Sequence, residues 1–233
     1  MRKTKTMTQG IGTLNEQPLH SALKDAYTDG GGRQEVPVEG YVVDVVNGRH
    51  LIEIQTQHFY AIKKKLYELT RKYSLKLVFP IASEKWLLKL PKVEGADLER
   101  RKSPKRGCPH EVFSELVSFP GLINHSGFSI DVTLVDVEEV RRYSGERSWR
   151  QNGWETLEQR LIRIVRVITI QKPADLLNLV PETLPVEFTS ADLEKTAQMP
   201  RWLAQKAAYC MKQAGAVRQI GKRGRFNLYR QNT

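Results

Sequence analysis

Apolar residues recur along this chain in two rhythms, and the order in which they alternate predicts the fold. Leu14, Leu19, Leu23 and Tyr27 recur at roughly helical spacing, after a Thr13 N-cap with Glu16 and Gln17 in the first turn. Asp29-Gly30-Gly31-Gly32 ends that helix in a loop. Valine-rich residues 36–46 read as a strand, Asn47-Gly48 as a hairpin turn, and residues 51–55 as the returning strand. Over 57–72, Phe59, Ile62, Leu66, Leu69 and Tyr73 fall at spacings of three and four, with most lysines and arginines opposite them. That is an amphipathic helix. Residues 75–81 (LKLVFPI) form a short apolar strand. A hairpin followed by a strand–helix–strand crossover onto a parallel neighbour predicts a mixed sheet flanked by helices, an α/β fold.

Beyond this point the pattern is less regular. Residues 89–110 are charged and carry prolines at 91, 104 and 109, which predicts a loop or insertion. A short helix is expected over 111–117, alternating strands over 128–137 and 161–170, and a short helix over 173–180. Pro181 and Pro185 mark a boundary. After it, Thr189 or Ser190 caps a short helix with an acidic first turn, and Pro200 opens a longer helix over 201–214 that Gly215 caps. Two short strands then flank Gly221-Lys222-Arg223-Gly224. The organisation expected is a tail at 1–10, a domain over 11–185 (core 11–90, extension 91–185) and a small domain over 186–233.

Charge changes the picture from fold to partner. The net charge is +11, of which +7 lies between residues 188 and 233 and +4 between 89 and 106. Concentrated positive charge on a protein of this size points to a polyanion, with nucleic acid the expected partner. Cys108 and Cys210 match no metal-ligand spacing and read as thiols of a reducing compartment. No apolar leader opens the chain and no run has the length of a membrane span. The expectation is a soluble cytoplasmic protein without membrane contact, nucleoid-associated if the source is bacterial or archaeal.

Candidate chemistry sits where good strand sequence is interrupted, in VVDVVNGRHLIEIQT (residues 42–56). Side chains alternate faces along a strand, so a turn of even length puts Asp44, Glu53 and Gln55 on one face, within about 5–8 Å. With Asn47-Gly48 as a two-residue loop, Asp44 lies opposite Leu51. With a loop from Asn47 to His50 it lies opposite Glu53. An odd turn would separate the three. Two adjacent carboxylates repel unless a cation lies between them, and Mg²⁺ held by a carboxylate pair is the usual solution. A half-exposed hairpin with a polar face is the plainer alternative.

Asp44 on one strand and Glu53-Ile54-Gln55 on the next, within the order helix, strand, hairpin, strand, helix, strand, resembles the core of the PD-(D/E)XK nuclease superfamily. The resemblance covers about residues 11–81. It implies a restriction-endonuclease-like fold, metal-dependent hydrolysis of DNA phosphodiester bonds, and Mg²⁺ (or Mn²⁺) at Asp44 and Glu53 with the Ile54 carbonyl as a further ligand. Glu16 carries over as the helix glutamate of the site, and Gln55 as the residue that positions a water or phosphate. Two departures stand out. Val43 occupies the position usually written as proline, and Gln55 the position of the lysine. Some members carry that lysine on the following helix, so Lys63 is the candidate substitute. The alternative is a catalytically inactive nuclease-fold protein that binds DNA or regulates.

The C-terminal order of helix, turn, longer helix and basic hairpin resembles a winged helix-turn-helix. By that resemblance Arg201, Gln205, Lys206 and Lys212 are candidate DNA contacts from the helix, and Lys222, Arg223 and Arg225 from the wing. Use of the same domain for protein contacts is the alternative. Many such nucleases cut as dimers, which leaves a homodimer or a partner protein of a DNA-processing system open. The five histidines show no ligand spacing, and His50 and His58 read as solvated. Trp149 and Trp154 read as packing anchors that would stack a base if their loop faces nucleic acid.

Overall fold

In the computed structural model, which describes residues 17–28, 30–92, 97–145 and 153–232, the sequence rhythms become two layers of helix around one long sheet. Helix α1 (Pro18–Thr28) turns Leu19 and Leu23 into the interior, as their spacing predicts; Thr13 and Leu14 lie outside the described residues. The segment read as one strand over 36–46 is two, β1 (Arg33–Val38) and β2 (Tyr41–Asn47), folded back at Glu39-Gly40. Both turn residues have positive φ (50° and 82°), as a tight two-residue hairpin requires. Valines on both sides of the turn mask it in the hydrophobic pattern. The next turn is Gly48-Arg49, with Asn47 paired to His50 at the start of β3 (His50–Ile54). Helix α2 (Phe59–Leu69) then crosses over to β4 (Ser74–Lys89), which runs parallel to β3.

Strands β6 (Phe128–Tyr143) and β7 (Trp154–Ile170) complete the sheet, in the order β1-β2-β3-β4-β6-β7. Three of these strands are far longer than their apolar cores predict. β4 leaves β3 after Val78 and continues beside β6, and β5 (Glu99–Lys102) takes the vacated edge. The expected loop over 89–110 therefore contains a strand, which charge and proline content concealed. Between β5 and β6 the chain forms a 3₁₀ turn (Pro109–Val112), the short helix α3 (Phe113–Leu116) and a second 3₁₀ turn (Pro120–Asn124). The expected helix over 173–180 is a 3₁₀ segment, Pro173–Leu179.

The two faces of the sheet carry separate cores. Leu77 packs with Phe59, Leu66 and Leu69 of α2, whereas its neighbour Val78 packs with Leu19 and Leu23 of α1 and with Ile54, Val135 and Val137. Phe59 stacks on Phe119 at 5.4 Å and meets Phe79 edge-on at 5.1 Å. Burial of Phe59, Leu66 and Leu69 stabilises the α2 face by about 1.5–3 kcal/mol per side chain. The Glu115 carboxylate accepts the Phe59 N–H at 3.0 Å, placing a negative charge at the start of α2.

The C-terminal segment forms β8 (Glu187–Phe188), α4 (Ser190–Thr196), α5 (Arg201–Ala214), β9 (Val217–Arg223) and β10 (Phe226–Gln231), with its strands in a separate sheet of order β8-β10-β9. Thr189 caps α4 in a reciprocal box with Asp192, and Gly215 ends α5 at φ 84°. This unit does not stand apart. Leu203, Ala207, Cys210 and Met211 of α5 belong to the same core as Phe113, Phe119 and Leu176. Among the described residues no helix is long and apolar enough to cross a membrane.

Candidate functional site

The regular ladder between β2 and β3 ends at Val45↔Ile52; continued, it would set Asp44 directly opposite Glu53. At that point side chains replace backbone pairing. Asp44 Oδ2 accepts the Ile54 N–H at 2.7 Å and lies 3.2 Å from His20 Nε2 of α1. Glu53 Oε1 accepts from the Lys65 ammonium of α2 at 2.5 Å, and the same ammonium donates to the Val42 carbonyl at 2.7 Å. The two carboxylates thus meet at the end of a strand pair and are partnered from helices on opposite faces of the sheet.

Their electrostatics differ. Burial pushes the Glu53 carboxyl up to about 7, and the Asp44 charge adds to the rise, against the opposing pull of Lys65. Burial also acts to raise Asp44, but the His20 imidazole, the Ile54 N–H and Lys65 outweigh it and hold Asp44 below the ordinary carboxylate range. Glu53 is only 6 % exposed, and its Oε2 is buried with no hydrogen-bond partner among the described residues.

A cleft of about 950 Å³ opens onto Asp44. Gln17, His20, Gln55 and Gln57 line it on one side, and Thr156, Leu157 and Gln159 of β7 on the other. The β7 wall is braced from beneath. Glu139 of β6 accepts from Lys85, Arg141, Thr156 and Gln159, and the hydrogen bonds from Lys85 and Arg141 overcome the effect of burial and hold its carboxyl down at about 2. Gln55 faces the cleft but spends its amide on the Gln57 carbonyl, while its N–H donates to the Val78 carbonyl. Ile54 buries its side chain with α1 and gives its N–H to Asp44. Glu16 lies outside the described residues.

These groups suit a divalent cation in part. Asp44, Glu53 and the Ile54 carbonyl offer hard oxygen donors, and the unpartnered Glu53 Oε2 is the atom such an ion would satisfy. Lys65 already neutralises Glu53 and the His20 imidazole already sits against Asp44, however, and among the described residues no three His, Cys, Asp or Glu side chains converge as a metal site.

In the C-terminal unit Arg201, Gln205 and Arg225 line a concavity of about 310 Å³ between α5 and the β9–β10 hairpin. Both guanidinium groups lie over the Phe226 ring, at 5.9 and 5.2 Å. Lys222 is exposed at the hairpin end. Three of the expected contacts are engaged internally: Lys212 with Gln219, Arg223 with Asp192, and Lys206 with the Ser114 carbonyl. Lys206 thereby fastens α5 to α3.

The sequence model of DUF8091, a domain of unknown function, matches residues 17–171. The chain belongs to the DUF8091 family. An uncharacterized protein of Treponema pallidum (strain Nichols) is 26 % identical over 221 residues, covering 94 % of this chain and 87 % of the relative. No solved structure matches the chain significantly. The DUF8091 segment spans both carboxylates, their partners His20 and Lys65, and both walls of the cleft. The C-terminal unit lies beyond it.

Two site residues of this DUF8091 chain were not found by sequence reasoning. Lys63, the expected substitute lysine, is exposed, and Lys65 holds Glu53 instead. His20, like the other histidines, shows no ligand spacing in the sequence. Its signal is the i, i+4 spacing with Lys24, since both side chains descend from α1 onto the hairpin, Lys24 reaching Glu35 at 2.7 Å.

Proposed function

We propose that this protein is a metal-dependent DNA endonuclease of the PD-(D/E)XK type, working at Asp44 and Glu53. The observation that carries the reading is the pairing of Glu53 with Lys65 at the end of a strand pair, beside Asp44, which lines the cleft. The element order α1, β1–β3, α2, β4, with β3 and β4 parallel, supports a restriction-endonuclease-like core. Asp44 and Glu53 would hold Mg²⁺ or Mn²⁺ together with the Ile54 carbonyl. Bound there, such an ion supplies charge neutralisation at the phosphate and a more acidic water.

The remaining work falls to the chain's own groups. Lys65 presents a fixed positive charge to the scissile phosphate, the role of the missing motif lysine. Gln55 would orient the attacking water through its amide oxygen, since its amide N–H is given to the Gln57 carbonyl. Glu16, outside the described residues, would complete the site. The α5–hairpin unit would act as a winged helix that holds DNA through Arg201, Gln205, Lys222 and Arg225, with Lys212 and Arg223 recruited from their internal partners. The partner is DNA, the compartment the cytoplasm, and cutting of two strands would involve a second copy or a partner protein.

A second reading, a nuclease-like scaffold that binds DNA without cutting it, is favoured by the internal partners of both carboxylates, Lys65 at Glu53 and His20 at Asp44. A plasmid-nicking assay with Mg²⁺ or Mn²⁺ separates the two. Cleavage by the wild type that is lost in Asp44→Ala and in Glu53→Ala supports the enzyme. Salt-sensitive binding without cleavage on duplex, branched or single-stranded DNA supports the scaffold.

A further inference from the structure

The outer half of the sheet carries chemistry that the carboxylate site does not use. Beyond Val78, strands β4, β6 and β7 run on as a ribbon edged by β5. Thr156 and Gln159 both bond to Glu139 and so share one face of β7, and both line the cleft with Asp44. Trp154, two residues before Thr156, lies on the same face and extends that wall by about 7 Å. Its indole meets the ring of Tyr143 edge-on at 5.6 Å. Neither ring belongs to either hydrophobic core, and Tyr143 is 43 % exposed. Two lysines attend the pair. Lys89 Nζ, which is also paired with Glu99 at 2.9 Å, lies 4.9 Å over Trp154, and Lys92 Nζ lies 3.9 Å over Tyr143 and 5.5 Å over Trp154. Among the described residues Lys92 has no carboxylate partner.

Two rings outside any core, with ammonium groups resting on their faces, match what an unpaired nucleotide offers. A base has a flat face to exchange for the lysine, and a phosphate to receive the displaced charge. A paired duplex hides its base faces and has no use for the rings. We propose that Trp154 and Tyr143, with Lys89 and Lys92, form a stacking platform for unpaired nucleotides of a single strand that leaves the cleft. The inference rests on the reading of that cleft as a nucleic-acid site.

The test compares binding of a fluorescein-labelled oligothymidylate and of a blunt duplex of equal length by fluorescence anisotropy, without metal. The Trp154→Ala/Tyr143→Ala variant should lose about 10-fold or more in affinity for the oligothymidylate and stay within about twofold on the duplex. Trp154→Phe, which keeps a flat ring and the fold, should recover most of the loss. Equal loss on both ligands, no loss at all, or no binding of oligothymidylate by the wild type would overturn the platform. Capture of a protein partner that depends on the rings, without oligothymidylate binding, would do the same. Failure of the cleft reading is seen separately. A wild type that never cleaves, yet binds oligothymidylate through Trp154, retains the platform without the nuclease. Cleavage that depends on Asp44, with ring-independent binding, retains the nuclease without the platform.

Discussion

Lys65 of α2 reaches the end of the β2–β3 ladder and sets its ammonium 2.5 Å from Glu53 Oε1 and 2.7 Å from the Val42 carbonyl. A buried carboxylate next to a second carboxylate is thereby supplied with a positive charge that no residue of its own hairpin provides.

Removal of that charge should be felt in stability and should depend on pH. Glu53 titrates at about 7 in the fold, above its ordinary value of 4.5, so its neutral form is favoured at low pH and its ionised form weakens the fold as pH rises through 7. Lys65→Met leaves the ionised form without its partner. The expected loss is about 3 kcal/mol near about pH 8 and much less near about pH 5, read by urea unfolding at both. An equal loss at both would mean that Lys65 acts through packing alone.

The same titration sets the activity profile. Metal binding needs Glu53 ionised, so cleavage under subsaturating Mg²⁺ should climb about tenfold per pH unit below about 7 and level off above it. A profile that stays flat through this range would exclude Glu53 as a metal ligand. Glu53→Gln should abolish cleavage while relieving the cost of burying the charge, and so should raise stability near about pH 8.

Glu139 supports the β7 wall without facing the reacting groups. Glu139→Ala strands Lys85 and Arg141 and removes the acceptor for Thr156 and Gln159, at an expected cost of about 3 kcal/mol near neutral pH. Its carboxyl is depressed to about 2, so this stabilisation is complete above 4.5 and fades as pH falls toward 2. Wild type and variant should therefore converge in acid, which denaturation curves over that range would test.

In the C-terminal unit, Arg201→Ala and Arg225→Ala should each lower the salt dependence of DNA binding by about one unit of slope. Lys206→Met should leave the slope unchanged and loosen the attachment of α5 to Ser114, by about 1.5–3 kcal/mol in thermal or urea unfolding. A slope change in Lys206→Met would return that residue to the DNA face.

Local pattern determined much of this protein. The rhythm of Leu19 and Leu23 and the stripe of Phe59, Leu66 and Leu69 each reflect which side of an element must leave water, and each is present in the structure. The strands expected over 128–137 and 161–170 are there, but their alternation is not repeated in burial: β6 is buried on both faces over most of its length, and Ile162, Ile164, Val165 and Val167 of β7 are exposed. The cap at Thr189 and the stop at Gly215 were legible because they rest on bonds to residues within one turn. The turn at Glu39-Gly40 was not, because valine-rich sequence continues on either side of it. Strand β5 and the outer halves of β4, β6 and β7 were hidden as well. Their charged side chains are neutralised across strands, as Arg100 is by Glu138 and Lys102 by Glu84, and that compensation cannot be seen along the chain. The carboxylates show the division most clearly. Asp44 and Glu53 were found from alternation and an even turn, but their partners were not. Lys63 and Lys65 flank the apolar stripe of α2 at nearly equal angles, about 80° to either side at about 100° per residue, so periodicity treats them alike. Only the packing of α2 across β3 and β4 turned Lys65 toward Glu53 and left Lys63 in water, because that packing fixes which flank of the helix overhangs the end of the β2–β3 ladder.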